Sequence, residues 1–231
     1  MFDFFRVVPK KRSVKIKLKE GVIFNNPPAK ERKLFYFGTF IFFLAVGYFC
    51  YLYWPLTLSF IEYESGGKIS LTKTQIEQEI GTTNVPVEEF SLKIPKIGAE
   101  AKVVKNVSPF DKNEYLPILE NDSVAQAQNS GLPGDKSKSI YLFAHSTKQG
   151  LQIVRSNSVF YLLGQLRSND PIFIRYNGKI YGYRVYNQKV VGANEVEYLD
   201  YKEEGREILI LQTCWPIGTD WKRLLVFAER I

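Results

Sequence analysis

ILILQTCWPIGTDWKRLLVFA, residues 208–228, is the stretch on which the reading of the fold turns. It begins with a buried-looking apolar run, Ile208 to Leu211, that leads through Gln212 and Thr213 to Cys214. The loop-like Trp215-Pro-Ile-Gly218 follows, and Arg223 then opens a second apolar run. Runs rich in β-branched, aromatic and large aliphatic residues, bounded by Gly, Pro, Asn and Asp, are strand signals. Strands are expected at 207–213 and 223–229. Working back along the chain, the same pattern predicts strands at 90–94, 101–107, 139–144, 172–176 and 179–191. Asn177-Gly178 between two of them predicts a tight hairpin, because a type I′ turn needs residues that tolerate positive φ. Short helices are expected at 158–166 and 123–128. Seven or eight strands with so little helix indicate a closed barrel or a sandwich.

Cys214 is the one cysteine outside the apolar N-terminal stretch, and His145 is the one histidine in the chain. His145 ends the apolar run Ile140-Tyr-Leu-Phe-Ala and begins the polar turn Ser146-Thr-Lys-Gln-Gly150. Cys214, His145 and Arg223 all stand where strands meet loops, which suits catalytic groups held by a rigid frame. A thiol attacks carbonyls, an imidazole moves the proton, and a guanidinium holds substrate or developing negative charge. Cys50 lies inside the apolar stretch and cannot readily reach Cys214, so no structural disulfide is expected. A zinc site would need more ligands than one Cys and one His.

The net charge of +7 belongs to the first 33 residues, which hold ten Lys and Arg against three acids. The rest is neutral, which removes the case for nucleic-acid binding. Leu34 to Trp54 then runs 21 residues without a charge. At about 1.5 Å per residue, a helix of that length spans roughly 30 Å, the thickness of a bilayer core. Residues 51–54, Tyr-Leu-Tyr-Trp, offer no small-residue cleavage site, so the stretch reads as an uncleaved anchor. Positive charge on its N-terminal side puts residues 1–33 in the cytoplasm and the chain after Pro55 outside. Residues 55–89 read as a stalk or accessory segment. It contains a short helix over 76–80, with a capping box formed by Thr74 and Glu77 and an end at Gly81, and it serves mainly as a spacer. Residues 90–231 read as the folded domain.

In that domain the motifs resemble those of the sortases, membrane-anchored cysteine transpeptidases of the bacterial surface. Leu211-Gln-Thr-Cys214 is similar to the family's cysteine motif, Lys222-Arg-Leu-Leu-Val226 to its arginine strand, and Ile140-Tyr-Leu-Phe-Ala-His145 to its histidine strand. Leu92-Lys-Ile-Pro-Lys-Ile97 resembles the opening strand and Gly131-Leu-Pro-Gly134 the turn before the histidine strand. The spacing of Cys214, Pro216, Gly218 and Arg223 looks like the pilin-polymerising class. Ala144 stands where Gly is common, Gln126 where many relatives have a second histidine, and Lys136 to Ile140 where a Gly-Asn pair is usual. That class's lid motif is not recognised. Papain-like enzymes place Cys before His, the reverse of this chain. The peptidoglycan L,D-transpeptidases carry Arg two residues after Cys, where this chain has Pro216.

The resemblance implies a closed seven- to eight-stranded β-barrel without a cofactor, preceded by a transmembrane helix. It also implies a reaction. Cys214 attacks a Leu-Pro-x-Thr-Gly-like sorting signal of a surface protein or pilin, His145 shuttles the proton, and Arg223 holds the oxyanion or the substrate. The acyl group passes to an amine of the cell wall or of another subunit. Thr213 is a supporting residue or an ordinary strand threonine, and Trp215 and Trp221 wall the substrate groove or pack in the core. Two other readings stay open here: a thiol endopeptidase that only hydrolyses, and a non-catalytic membrane-tethered β-domain that binds envelope components.

Overall fold

The computed structural model describes residues 29–65, 72–81, 89–147 and 158–231. The chain divides into two units, residues 1–48 and 49–231. Helix α1 covers Ala29–Ser65. Within it, Lys33–Tyr51 is long and apolar enough to cross a membrane, by length and composition. Leu34, Phe35, Phe42, Phe43 and Phe49 along it are exposed, so this is not the buried core helix of a globular domain.

Eight strands close into one barrel in the order β1-β2-β3-β4-β7-β8-β6-β5. They are β1 (Phe90–Ile94), β2 (Ala99–Val107), β3 (Val124–Ala127), β4 (Ile140–Phe143), β5 (Pro171–Tyr176), β6 (Lys179–Gly192), β7 (Ile208–Trp215) and β8 (Lys222–Arg230). The expected barrel is therefore present with eight strands. Closure pairs β1 with β5 and leaves no free sheet edge. The β2–β3 and β4–β7 pairs are parallel and the others antiparallel. The β5–β6 hairpin turns at Asn177 and Gly178, whose φ angles of 49° and 75° supply the positive values the turn requires.

β4 is buried at every residue, and β7 is buried from Ile208 to Leu211. A barrel strand normally buries only its inner face; burial of both faces requires a cover outside as well. Part of that cover is α3 (Lys112–Glu120), a helix the sequence reading missed. Asp111 caps it by accepting a hydrogen bond from the Asn113 amide at 2.9 Å. Pro117 inside it, normally a helix breaker, masks the pattern.

Three expectations are corrected. Residues 123–128 hold strand β3, not a helix; Val124–Ala127 is a wholly buried four-residue run paired on both sides, and period alone does not separate such a run from a helical segment. Residues 158–166 form turns with a single 3-10 turn at Leu163–Gln165 instead of a helix. Their anchors Phe160 and Leu163 are nonetheless fully buried. The short helix near residue 76 is α2 (Lys73–Ile80), and its capping box is made by Thr72 and Gln75, not Thr74 and Glu77. Nor is α2 a mere spacer. Ile76 and Ile80 pack against Phe173 and Ile180 on the outside of β5 and β6, and Glu79 pairs with Lys93 at 2.8 Å. The polar turn expected at 146–150 lies partly outside the described residues.

Candidate active site

The register of three adjacent strands assembles the site. Across β7 and β8, Cys214 is the direct partner of Arg223. Across β4 and β7, Phe143 pairs with Gln212. Because that pair is parallel, both strands end on the same rim of the barrel. Beyond the ladder, the Ala144 amide donates to the Gln212 carbonyl at 3.2 Å, and Thr213 Oγ1 donates to the Ala144 carbonyl at 3.0 Å. The register carried two positions on brings His145 level with Cys214. Side chains alternate along a strand, so Tyr141, Phe143 and His145 share a face with Gln212 and Cys214. That face points out of the barrel, into a cavity of about 500 Å³ whose lining includes His145, Cys214 and Arg223.

Two covers turn this face into a cleft. From α3 come Tyr115, Leu116 and Leu119, and the Tyr115 ring meets Phe143 edge-on at 6.0 Å between centroids. From the β6–β7 connection come Ala193 to Val196 and Leu199. Glu195 folds that connection back by accepting from the Gly192 amide at 2.6 Å.

Each central residue is fixed by its surroundings. The Arg223 guanidinium donates from Nη1 to the carbonyls of Asp220 (2.8 Å) and Lys222 (3.0 Å), which ties it to the β7–β8 loop. The loop is closed on itself, since Thr219 donates from both its amide and its hydroxyl to the Pro216 carbonyl. The His145 carbonyl accepts from Ser158 Oγ at 2.7 Å, which ties residue 158 to the end of β4. Burial pushes the Cys214 thiol above its ordinary range; the Arg223 guanidinium pulls it down, and the Asp220 carboxylate adds to the rise. Tyr115 also stays protonated well into alkaline pH. Its burial dominates, Arg223 opposes it, and Cys214 adds to it. Among the described residues, no three His, Cys, Asp or Glu side chains group closely enough to hold a metal ion. Cys50 and Cys214 are both free thiols.

The remaining expected residues sit elsewhere. Thr213 is buried on the inner face, where its hydroxyl ties β7 to the end of β4. Trp215 leans on Gly164, where an added Cβ would stand 3.0 Å from the indole, and it packs against the core. Trp221 is 73% exposed. Neither tryptophan lines the cavity that holds Cys214. Tyr115, Tyr141, Gln212 and Asp220 do line it and were not singled out from the sequence. For Tyr141 and Gln212 the signal was available, because each lies an even number of residues before His145 or Cys214 on the same strand.

An eight-stranded barrel carrying Cys, His and Arg in one outer cleft defines a candidate thiol-dependent acyl-transfer protein. Residues 92–231 match the family model of the sortase domain. The chain belongs to the sortase family. None of the curated proteins matches it. Among solved structures it is similar to sortase C-1 from Actinomyces oris, with 23% identity over 71% of this chain and 83% of that one and a TM-score of 0.52. Sortase A from Corynebacterium diphtheriae is similar at 24% identity, 71% of each chain and a TM-score of 0.51. The Clostridium perfringens sortase C solved with the C-terminal cell wall sorting motif gives 21% identity, 77% of this chain and 85% of that one, and a TM-score of 0.51.

Proposed function

We propose that the protein is a membrane-anchored cysteine transpeptidase that cuts a Leu-Pro-x-Thr-Gly-like sorting signal and transfers the acyl group to an amine. The observation that carries this reading is the alignment of His145, Cys214 and Arg223 across three neighbouring strands beside one cavity. A cleft of that size is of the order that takes a ligand of several residues. The sorting motif held by the C. perfringens sortase C supports the substrate class.

The chemistry follows from the three groups. His145 takes the proton of Cys214 Sγ, and the thiolate attacks the scissile carbonyl carbon. The tetrahedral oxyanion accepts hydrogen bonds from Arg223. Collapse breaks the C–N bond, and the departing amine takes the proton from His145, which leaves a thioester on Cys214. The incoming amine attacks that thioester and gives its proton to His145, so the Sγ–C bond breaks and a new amide forms. Arg223 also favours the thiolate that burial disfavours. The substrates are surface proteins or pilins, and the acceptor is an amine of the wall or of another subunit. The helix at Lys33–Tyr51 is the anchor, with the barrel outside the cell.

The test is direct. Full-length protein in detergent is incubated with a positional library of Leu-Pro-x-Thr-Gly-type peptides and an amine, and products are followed by mass spectrometry. An acyl adduct on Cys214 and an amine-ligated peptide are expected, both lost in Cys214→Ala. Cleaved acid alone, with amine present, would replace transpeptidation by hydrolysis. Products that persist in Cys214→Ala would overturn the assignment.

A further inference from the structure

The walls of the cleft differ in character. α3 and the β6–β7 connection supply apolar side chains, Leu116, Leu119, Val196 and Leu199, while Lys112 and Arg223 supply positive charge. Negative charge comes from Glu195 and Asp220. Glu195 Oε1 is engaged by the Gly192 amide at 2.6 Å. Asp220 differs. Its carbonyl accepts from Arg223 Nη1 at 2.8 Å, and its neighbour Thr219 is held to the Pro216 carbonyl, so its backbone is fixed. Its carboxylate accepts no hydrogen bond among the described residues, and the residue is exposed. That carboxylate also stands near enough to Cys214 to raise the thiol.

We infer that Asp220 selects the acceptor: it draws a primary amine, arriving as the ammonium ion, to the thioester on Cys214 in preference to uncharged nucleophiles. This rests on the transpeptidase reading and concerns only its second half. An attacking nitrogen has to come within about 3–3.5 Å of the thioester carbon, which is bonded to Cys214 Sγ. A primary aliphatic amine is protonated at neutral pH, so it enters as a cation. The apolar walls offer that cation no partner, and Lys112 and Arg223 repel it. Asp220 is the unengaged carboxylate beside Cys214 that receives it. The site is open to solvent, so the attraction concentrates the amine without locking its proton in place. The ammonium releases one proton to solvent, its lone pair attacks the thioester carbon, the second proton passes to His145, and the Sγ–C bond breaks to leave the thiolate. Water gains nothing from the carboxylate, so Asp220 favours transfer over hydrolysis.

In the experiment, full-length protein in detergent receives a peptide that acylates Cys214, with Nα-acetyl-lysinamide and hydroxylamine in competition at neutral pH. The readout is the ratio of lysine-ligated peptide to hydroxamate, by mass spectrometry. Hydroxylamine is uncharged under these conditions, and both nucleophiles attack the same thioester. Changes in acylation, in the thiol or in the amount of active protein therefore cancel in the ratio. In Asp220→Asn the ratio is expected to fall by about three- to fivefold, the size of one solvent-exposed charge pair. Asp220→Glu, which keeps the charge, should retain most of it. Added salt should lower the wild-type ratio toward that of Asp220→Asn, because screening weakens the same attraction. An unchanged ratio in Asp220→Asn would overturn the inference while leaving the transpeptidase intact. So would a wild-type ratio indifferent to salt. Failure of the wild type to acylate on any peptide would overturn both.

Discussion

Cys214 lies under two opposed influences, and their signs can be read separately. Burial and Asp220 favour the protonated thiol, and Arg223 favours the thiolate. Because only the thiolate reacts, alkylation of Cys214 by iodoacetamide should still be rising with pH where an ordinary cysteine has levelled off. Removing the Asp220 charge, in Asp220→Asn, should move that profile to lower pH and speed the reaction at fixed pH. Arg223→Gln should do the reverse. A Cys50→Ala background keeps the readout on one thiol, and identical profiles for the two variants would discard this account of the site. Thr213 acts at the same scale but through the backbone. Its bond to the Ala144 carbonyl holds the end of β4 against β7, and with it the level of His145. Thr213→Val should cost about 1 kcal/mol, seen as a lower Tm, and should slow acylation while leaving the identity of the adduct unchanged. Cys214, His145 and Arg223 were legible as residues because each is placed where an apolar run meets a loop. Tyr115 and Asp220 were not, since their role depends on what the chain folds against them.

Among the elements, the long strands were legible and the short covers were not. β6 and β8 are long enough, at 14 and 9 residues, for composition and turn residues to mark them. β3, with four residues buried on both sides, has no period to read, and Gln126 within it is spent on structure. Its Oε1 accepts from the Asn106 amide at 2.7 Å and its Nε2 donates to Ser130 Oγ at 2.7 Å, which ties β2 to the loop after β3. α2 illustrates a different limit. Eight residues do not sustain a helix alone in water, so α2 exists because Ile76 and Ile80 find Phe173 and Ile180. Gly182 makes room for it: a Cβ there would stand 2.6 Å from Ile80 Cδ1. Ile76→Ala, which empties that contact, should cost roughly 2 kcal/mol of docking. Hydrogen exchange should then show amide protection lost across 73–81 while β5 and β6 stay protected. Protection retained in α2 would mean that its capping box, not its docking, holds it.

At the scale of the whole molecule, charge carries information that folding does not use. The barrel can close whatever the sign of the tail, yet all of the net charge of +7 is gathered in residues 1–33, directly before the apolar helix. By the tendency of basic segments to stay on the cytoplasmic side, such an arrangement supports the orientation proposed above, with the barrel outside. The consequence is functional as well as topological. An acyl transfer that joins envelope proteins must happen outside, and a reactive thiol with no cysteine partner in its own domain keeps its function there only if it remains unpaired. The cleft itself was not legible from sequence, since it needs α3 and the β6–β7 connection folded over the strands that lead to His145 and Cys214. Protease protection tests it. In bacterial spheroplasts expressing the chain with an N-terminal and a C-terminal epitope, added proteinase K should remove the C-terminal epitope and leave the N-terminal one intact until the membrane is lysed. The opposite pattern would place the Cys214 cleft in the cytoplasm, away from any wall or pilin amine, and the transpeptidase reading would lose its acceptor.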